Sequence, residues 1–168
     1  VKNLTETEIK LSDAAVQMKL ALDKSDSDAI FRSCINSFIS SARSVTMVME
    51  KESAPIPELK KWYKGEMGEL SKLPVMKFFS DQRTHSIHRA SISPIANSAP
   101  IFDLKIDGID ANSDTGQMHW WTFENANEFI PGSSGNVFNL CEQYFVELKN
   151  LVAAWLYKMT EIEMSNKN

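Results

Sequence analysis

Arg83-Thr84-His85-Ser86-Ile87-His88 is the stretch of this sequence whose residue types could do chemistry. Imidazole titrates near neutrality, at about pH 6.5, so a histidine can take the proton from a ribose 2′-hydroxyl or give one to a departing 5′-oxygen. A guanidinium offers a fixed fork of donors to the charge that builds on phosphoryl oxygens. Arg83 and His88 together therefore suit cleavage of RNA without a metal, ending in a 2′,3′-cyclic phosphate; DNA lacks the nucleophile. On this reading Arg83 and His88 are the catalytic candidates, while Thr84, His85 and the more distant Arg43 orient or bind substrate.

Spacing constrains the idea. At about 100° per residue, positions 83 and 88 of one helix lie about 140° apart. They converge if the helix distorts near Ser86, or if two chains each complete the other's site. His85 and His88 form an HxxH pair on one face, but a third metal ligand is not evident, His119 being remote, so neither metal nor cofactor is expected. Arg83 falls among Met76, Phe79, Ile87 and Ala90, on the apolar side of its helix. A cation there needs either a carboxylate, such as Asp81, Glu66 or Glu142, or an open cleft or interface. Arg43 lies off the apolar line of its own helix; a salt bridge is the simpler expectation for it, approach to the same cleft the functional one.

The elements that must position these residues are mostly helices. Thr5, with Glu6 and Glu8 behind it, predicts a helix start, and Ile9, Val16, Met18, Leu20 and Leu22 predict a loosely amphipathic helix ending near Lys24. After the Ser25-Asp26-Ser27-Asp28 break, Phe31, Ile35, Phe38, Ala42, Val45 and Met49 alternate spacings of three and four, the mark of one buried face. Ala54-Pro55-Ile56-Pro57 ends that helix, and Pro57 opens a third, through Leu59, Trp62, Tyr63, Met67 and Leu70. Gly65 and Gly68 predict that this third helix is short or irregular. Pro74 opens a fourth, which carries the Arg-His run and fades near Ser91.

Between residues 94 and 135 or so the pattern changes to period two. Ile101 to Asp107 and Met118 to Phe123 read as strands separated by a turn-rich run, a β-hairpin inserted before the last helix. Of Trp120 and Trp121, one packs inward on such a strand and the other is left to stack a base or cover a partner. The last helix, from about Asn136 to Met164, has a broad apolar face. The expected fold is mainly α: an up-and-down bundle of four to five helices in a single domain over residues 1–168, with the hairpin inserted at about 94–135.

Composition narrows the classes. Hydrophobic content of 43% and charged content of 24% are ordinary for a globular chain, and six Gly and six Pro against eight Met favour helices. A net charge of -4 argues against a large nonspecific nucleic-acid surface, while leaving room for a small basic cleft. Cys34 and Cys141 lack metal spacing and read as buried, reduced thiols. No run approaches a membrane span and the first residues lack a signal-peptide pattern, so no membrane association and a cytoplasmic location are expected. No P-loop, dinucleotide fingerprint or serine elbow is present.

Arg83-Thr84-His85-Ser86-Ile87-His88 also fits the Arg-x4-His pattern of the HEPN superfamily, which carries it late in a helix of a helical bundle. Phe38-Ile39-Ser40-Ser41-Ala42-Arg43-Ser44-Val45-Thr46 resembles the second-helix segment of bacterial HEPN-like proteins, and Trp62-Tyr63 and Phe78 to Arg83 follow in the same order. The resemblance covers Phe31 to His88, with the hairpin as an insertion. It implies a homodimer whose Arg83 and His88 form a composite RNA-cleaving cleft in a defence, stress-response or toxin-antitoxin setting, with an antitoxin or nucleotidyltransferase-type partner. The other implied role is a non-catalytic dimerisation, RNA-binding or partner-binding module. Two positions depart from the family's pattern: Thr84 stands where catalytic members often have Asn or Asp, and Ala90 where the nucleotidyltransferase-paired toxins have Tyr.

Overall fold

The computed structural model describes residues 4–25, 27–88, 94–100 and 117–166, and the side chains of Arg83, residues 85–88 and residues 99, 100 and 117–119 lie outside that description. The chain is mainly helical, with a two-stranded antiparallel hairpin before the last helix. Its elements are α1 (Glu6–Asp23), α2 (Asp28–Ser53), α3 (Pro57–Leu70), α4 (Pro74–His88), β1 (Ile95–Pro100), β2 (Gln117–Thr122), α5 (Ala126–Phe129) and α6 (Val137–Ser165). α5 is a single turn that the hydrophobic pattern does not announce.

Thr5 begins α1 with a capping box: its hydroxyl accepts from the Glu8 amide while Glu8 bonds back to the Thr5 amide, worth about 1 kcal/mol. α1 and α2 run antiparallel, and the far end of α2 closes the start of α1. Glu52 accepts from the Glu6 amide at 3.1 Å, the Thr7 amide at 3.2 Å and the Thr7 hydroxyl at 2.6 Å.

α1 buries a different face from the one its large residues predict. Thr7, Ala14 and Ala21 are fully buried, whereas Val16, Leu20 and Leu22 are exposed and Ile9 stands at the exposed margin. Three small residues seven apart let the α1 and α2 backbones approach closely, and that fit decides which face turns inward.

α2 follows its pattern, with Phe31, Ile35, Phe38, Ala42, Val45 and Met49 all buried. α6 lies along them with Val137, Cys141, Tyr144, Leu148, Val152 and Trp155. Cys34 and Cys141 are both free and buried, and burial pushes the Cys141 thiol far above its ordinary range. α3 is neither short nor irregular: it runs unbroken for 14 residues. A side chain added at Gly65 or Gly68 would meet nothing, so both glycines face open space. Their cost of about 1 kcal/mol each is offset by burial of Leu59 and Tyr63 beneath them.

In the hairpin, pairing runs from Ile95↔Thr122 to Pro100↔Gln117. The strand expected over 101–107 falls outside the described residues; the described pairing begins earlier, directly after Pro94. The insert closes at Gly135, whose φ of +71° and proximity to the Phe123 carbonyl (2.6 Å from an added Cβ) demand glycine. No described helix is long and apolar enough to cross a membrane.

Candidate functional site in the α2–α4 groove

α4 carries the Arg-His run on an uninterrupted helix. Positions 77, 81, 84 and 88 of a regular helix fall within about 60° of arc, whereas position 83 falls beside 76 and 79. Met76 and Phe79 are buried, while Lys77, Asp81 and Thr84 are exposed. Position 88 thus falls on the outward face of α4, one turn beyond Thr84, and position 83 at the margin of the inward face.

The outward face borders an open groove of about 500 Å³ between α2, the end of α3, α4 and α5. Arg43 reaches it from α2; Lys77, Ser80, Asp81 and Thr84 reach it from α4. Met67, Met76 and Phe129 supply apolar wall. Thr84 donates its hydroxyl to the Ser80 carbonyl at 3.0 Å, which fixes its rotamer while leaving the oxygen able to accept. Arg43 makes no ion pair among the described residues, contrary to the simpler expectation for it. It stands between this groove and a second hollow of about 250 Å³ that also holds Glu50, Tyr63 and Lys64.

Tyr63 borders that second hollow from α3. It donates to the Thr46 carbonyl at 2.7 Å. Burial pushes its hydroxyl pKa up to about 12; Glu50 adds to the shift and the Arg43 guanidinium opposes it.

Two of the sequence candidates, Arg43 and Thr84, therefore meet in one groove, although they lie on different helices. Lys77 and Ser80 escaped the sequence reading, although their polar i, i+3, i+7 spacing with Thr84 was a usable signal. The expected pairing of Arg83 with Asp81, Glu66 or Glu142 lies outside the described residues; of these acids, Asp81 lines the groove with Arg43 and Lys77. Among the described residues no three His, Cys, Asp or Glu side chains are grouped to hold a metal ion.

Arg43, Lys77 and Thr84 can engage an anionic oxygen, and the methionines and Phe129 can shield it from water. Among proteins of known role and among solved structures, none matches this chain. Residues 4–91, which include α1 to α4 and the whole Arg-His run, match the family model for bacteriophage lambda protein ea47; that stretch is more than half of the 168 residues, and the chain belongs to this family.

Proposed function

We propose that the chain binds RNA along the α2–α4 groove and cleaves it without a metal through Arg83 and His88, as a HEPN-like homodimer. The observation that carries this reading is the convergence of Arg43 and Thr84 on one groove, with position 88 on the same face of α4. The unbroken helix separates positions 83 and 88 by about 140°, which favours two chains completing one site over a bend within one chain. His88 removes the 2′-hydroxyl proton, the oxygen attacks the adjacent phosphorus, and the bond to the 5′-oxygen breaks; a second proton donor, the partner copy's histidine, protonates that oxygen. Arg83 stabilises the phosphoryl charge, while Arg43, Thr84 and His85 hold the strand. The HEPN resemblance supports a role in defence or stress response, with an antitoxin or nucleotidyltransferase-type partner.

The test is cleavage of a mixed RNA pool in EDTA by the chain and by folded Arg83→Ala and His88→Ala variants. Loss in both variants of products ending in cyclic phosphate supports the reading. Intact RNA at high protein concentration, or equal cleavage by the variants, rejects it. One observation favours the second reading, a non-catalytic partner-binding module: Asp81 and Glu50 stand among the cations of the two hollows, a mixed charge that suits a protein surface better than a polyphosphate.

A further inference from the structure

A further cavity, away from the α4 groove and the hollow beside it, has the composition of a base-binding site. It measures about 640 Å³, in the range of small-molecule pockets, and lies where the hairpin meets the starts of α2 and α6. Trp120, Trp121 and Phe138 provide aromatic surface, and Asp28, Asn97 and Asn136 provide polar groups. The two tryptophans are not equivalent. Trp121 is buried, stacked on Phe31 at 4.3 Å with its Nε1 donating to the Ser25 carbonyl. Trp120 is half-buried and has no ring partner among the described residues, so it is available to stack.

Asn97 is the register partner of Trp120, so the two stand side by side on one face of the hairpin. Its Nδ2 is held by the Thr122 hydroxyl at 2.9 Å and the Ile95 carbonyl at 3.1 Å, leaving Oδ1 as an oriented acceptor. Asp28 gives one carboxylate oxygen to Arg32 at 3.7 Å; its other oxygen has no partner among the described residues. Aromatic surface beside two acceptors matches a flat heterocycle whose edge donates N–H groups.

We infer that this cavity binds a nucleobase carrying an exocyclic amino group, with the ring stacked on Trp120 and the amino edge directed to Asp28 and Asn97. The site is built to read the base rather than the phosphate: among the described residues that line it Asp28 alone carries a formal charge, and the cation beside it, Arg32, is already paired with that carboxylate at 3.7 Å. Adenine, guanine and cytosine carry such an amino group and uracil does not, so a preference within that set is built into the chemistry. The inference stands apart from cleavage at α4, because a free nucleoside suffices to fill the site.

The test is calorimetric titration of the intact chain with adenosine, guanosine, cytidine and uridine, and with ribose and inorganic phosphate as controls. At least one amino-bearing nucleoside is expected to bind saturably and more tightly than uridine. Trp120→Ala is expected to weaken it about tenfold or more, the usual worth of a stacked base. Asp28→Asn, which keeps the size of the side chain, is expected to narrow the margin over uridine. Circular dichroism checks that Trp120→Ala is folded, and Asp28→Asn gives an independent readout if it is not. Absence of saturable nucleoside binding, equal binding of uridine, an unchanged margin in Asp28→Asn, or undiminished affinity in a folded Trp120→Ala chain would each overturn the proposal.

Discussion

Trp121 stacks on Phe31 with ring centroids 4.3 Å apart and planes inclined by 20°, so a residue of the hairpin is packed face to face on the first turn of α2. Phe138 of α6 closes on the same Phe31 ring edge-on at 5.5 Å, and Trp121 Nε1 donates to the Ser25 carbonyl at 3.0 Å. One indole thereby ties the hairpin to the α1–α2 turn and to Phe31 of α2, the ring that the start of α6 also meets.

Trp121→Ala should therefore cost about 3–5 kcal/mol, the range for removing a large buried aromatic. The loss should be local as well as global. Urea unfolding gives the total, and amide exchange should accelerate first over 95–100 and 117–122. Trp120→Ala, at the half-buried neighbour, should cost well under half as much. Equal costs for the two would contradict the division of labour between the tryptophans.

A second long-range tie joins the other end of the bundle. Trp155 Nε1 donates to Ser53 Oγ at 2.9 Å, 102 residues away, and Ser53 Oγ donates in turn to the Met49 carbonyl at 2.7 Å. Both side chains are fully buried. Ser53→Ala strands an indole N–H in the core and should cost about 1–3 kcal/mol. Adding Trp155→Phe should then cost less than it does in the wild-type chain, since the donor no longer needs an acceptor; additive costs in that double-mutant cycle would argue against the bond.

The long faces of α2 and α6 were legible in the sequence because burial on one side of a helix leaves a period of three to four residues, as at Phe31, Ile35 and Phe38. α1 misled for the same reason: hydrophobicity marks Val16 and Leu20, but close packing on α2 selected the small faces of Ala14 and Ala21. The Glu52 cap on Thr7 has no local signature, since its partners lie 45 residues apart. The groove was half legible. The polar face of α4 follows from spacing, but that Arg43 borders it depends on how α2 sits against α4, which Phe38 and Phe79 set edge-to-face at 6.4 Å. No property of the Arg43 neighbourhood in sequence encodes that contact.

Arg43 makes no ion pair among the described residues, so its charge is available to a polyanion. Arg43→Ala should weaken binding of single-stranded RNA and lower the slope of log affinity against log salt by about 0.7, the release of one counterion. Lys77→Ala should do the same, because it lines the same groove. Fluorescence anisotropy of a labelled RNA at several salt concentrations measures both. A change in affinity with an unchanged slope would place these cations away from the phosphates.

Tyr63 gives the bundle a defined alkaline weakness. Its folded pKa of about 12 lies above the ordinary value near 10, chiefly because the hydroxyl is buried, and it donates to the Thr46 carbonyl at 2.7 Å. Between those two values the unfolded chain has lost the phenolic proton and the folded chain still holds it, so unfolding releases a proton and stability falls as pH rises. The contribution is fully present below about pH 10 and fades towards pH 12, by on the order of 2 kcal/mol at the upper end. Tyr63→Phe should be less stable near neutrality by about 1 kcal/mol, having lost the bond to Thr46. Its deficit should then shrink as pH rises, since it has no phenol to ionise, until the two stability curves meet or cross above pH 10 or so. Lysines and other tyrosines titrate in both proteins and largely cancel in the difference. Urea unfolding of the pair at several pH values from neutral to alkaline therefore isolates Tyr63, and a difference that stays constant over that range would mean its hydroxyl ionises as readily in the folded chain as in the unfolded one.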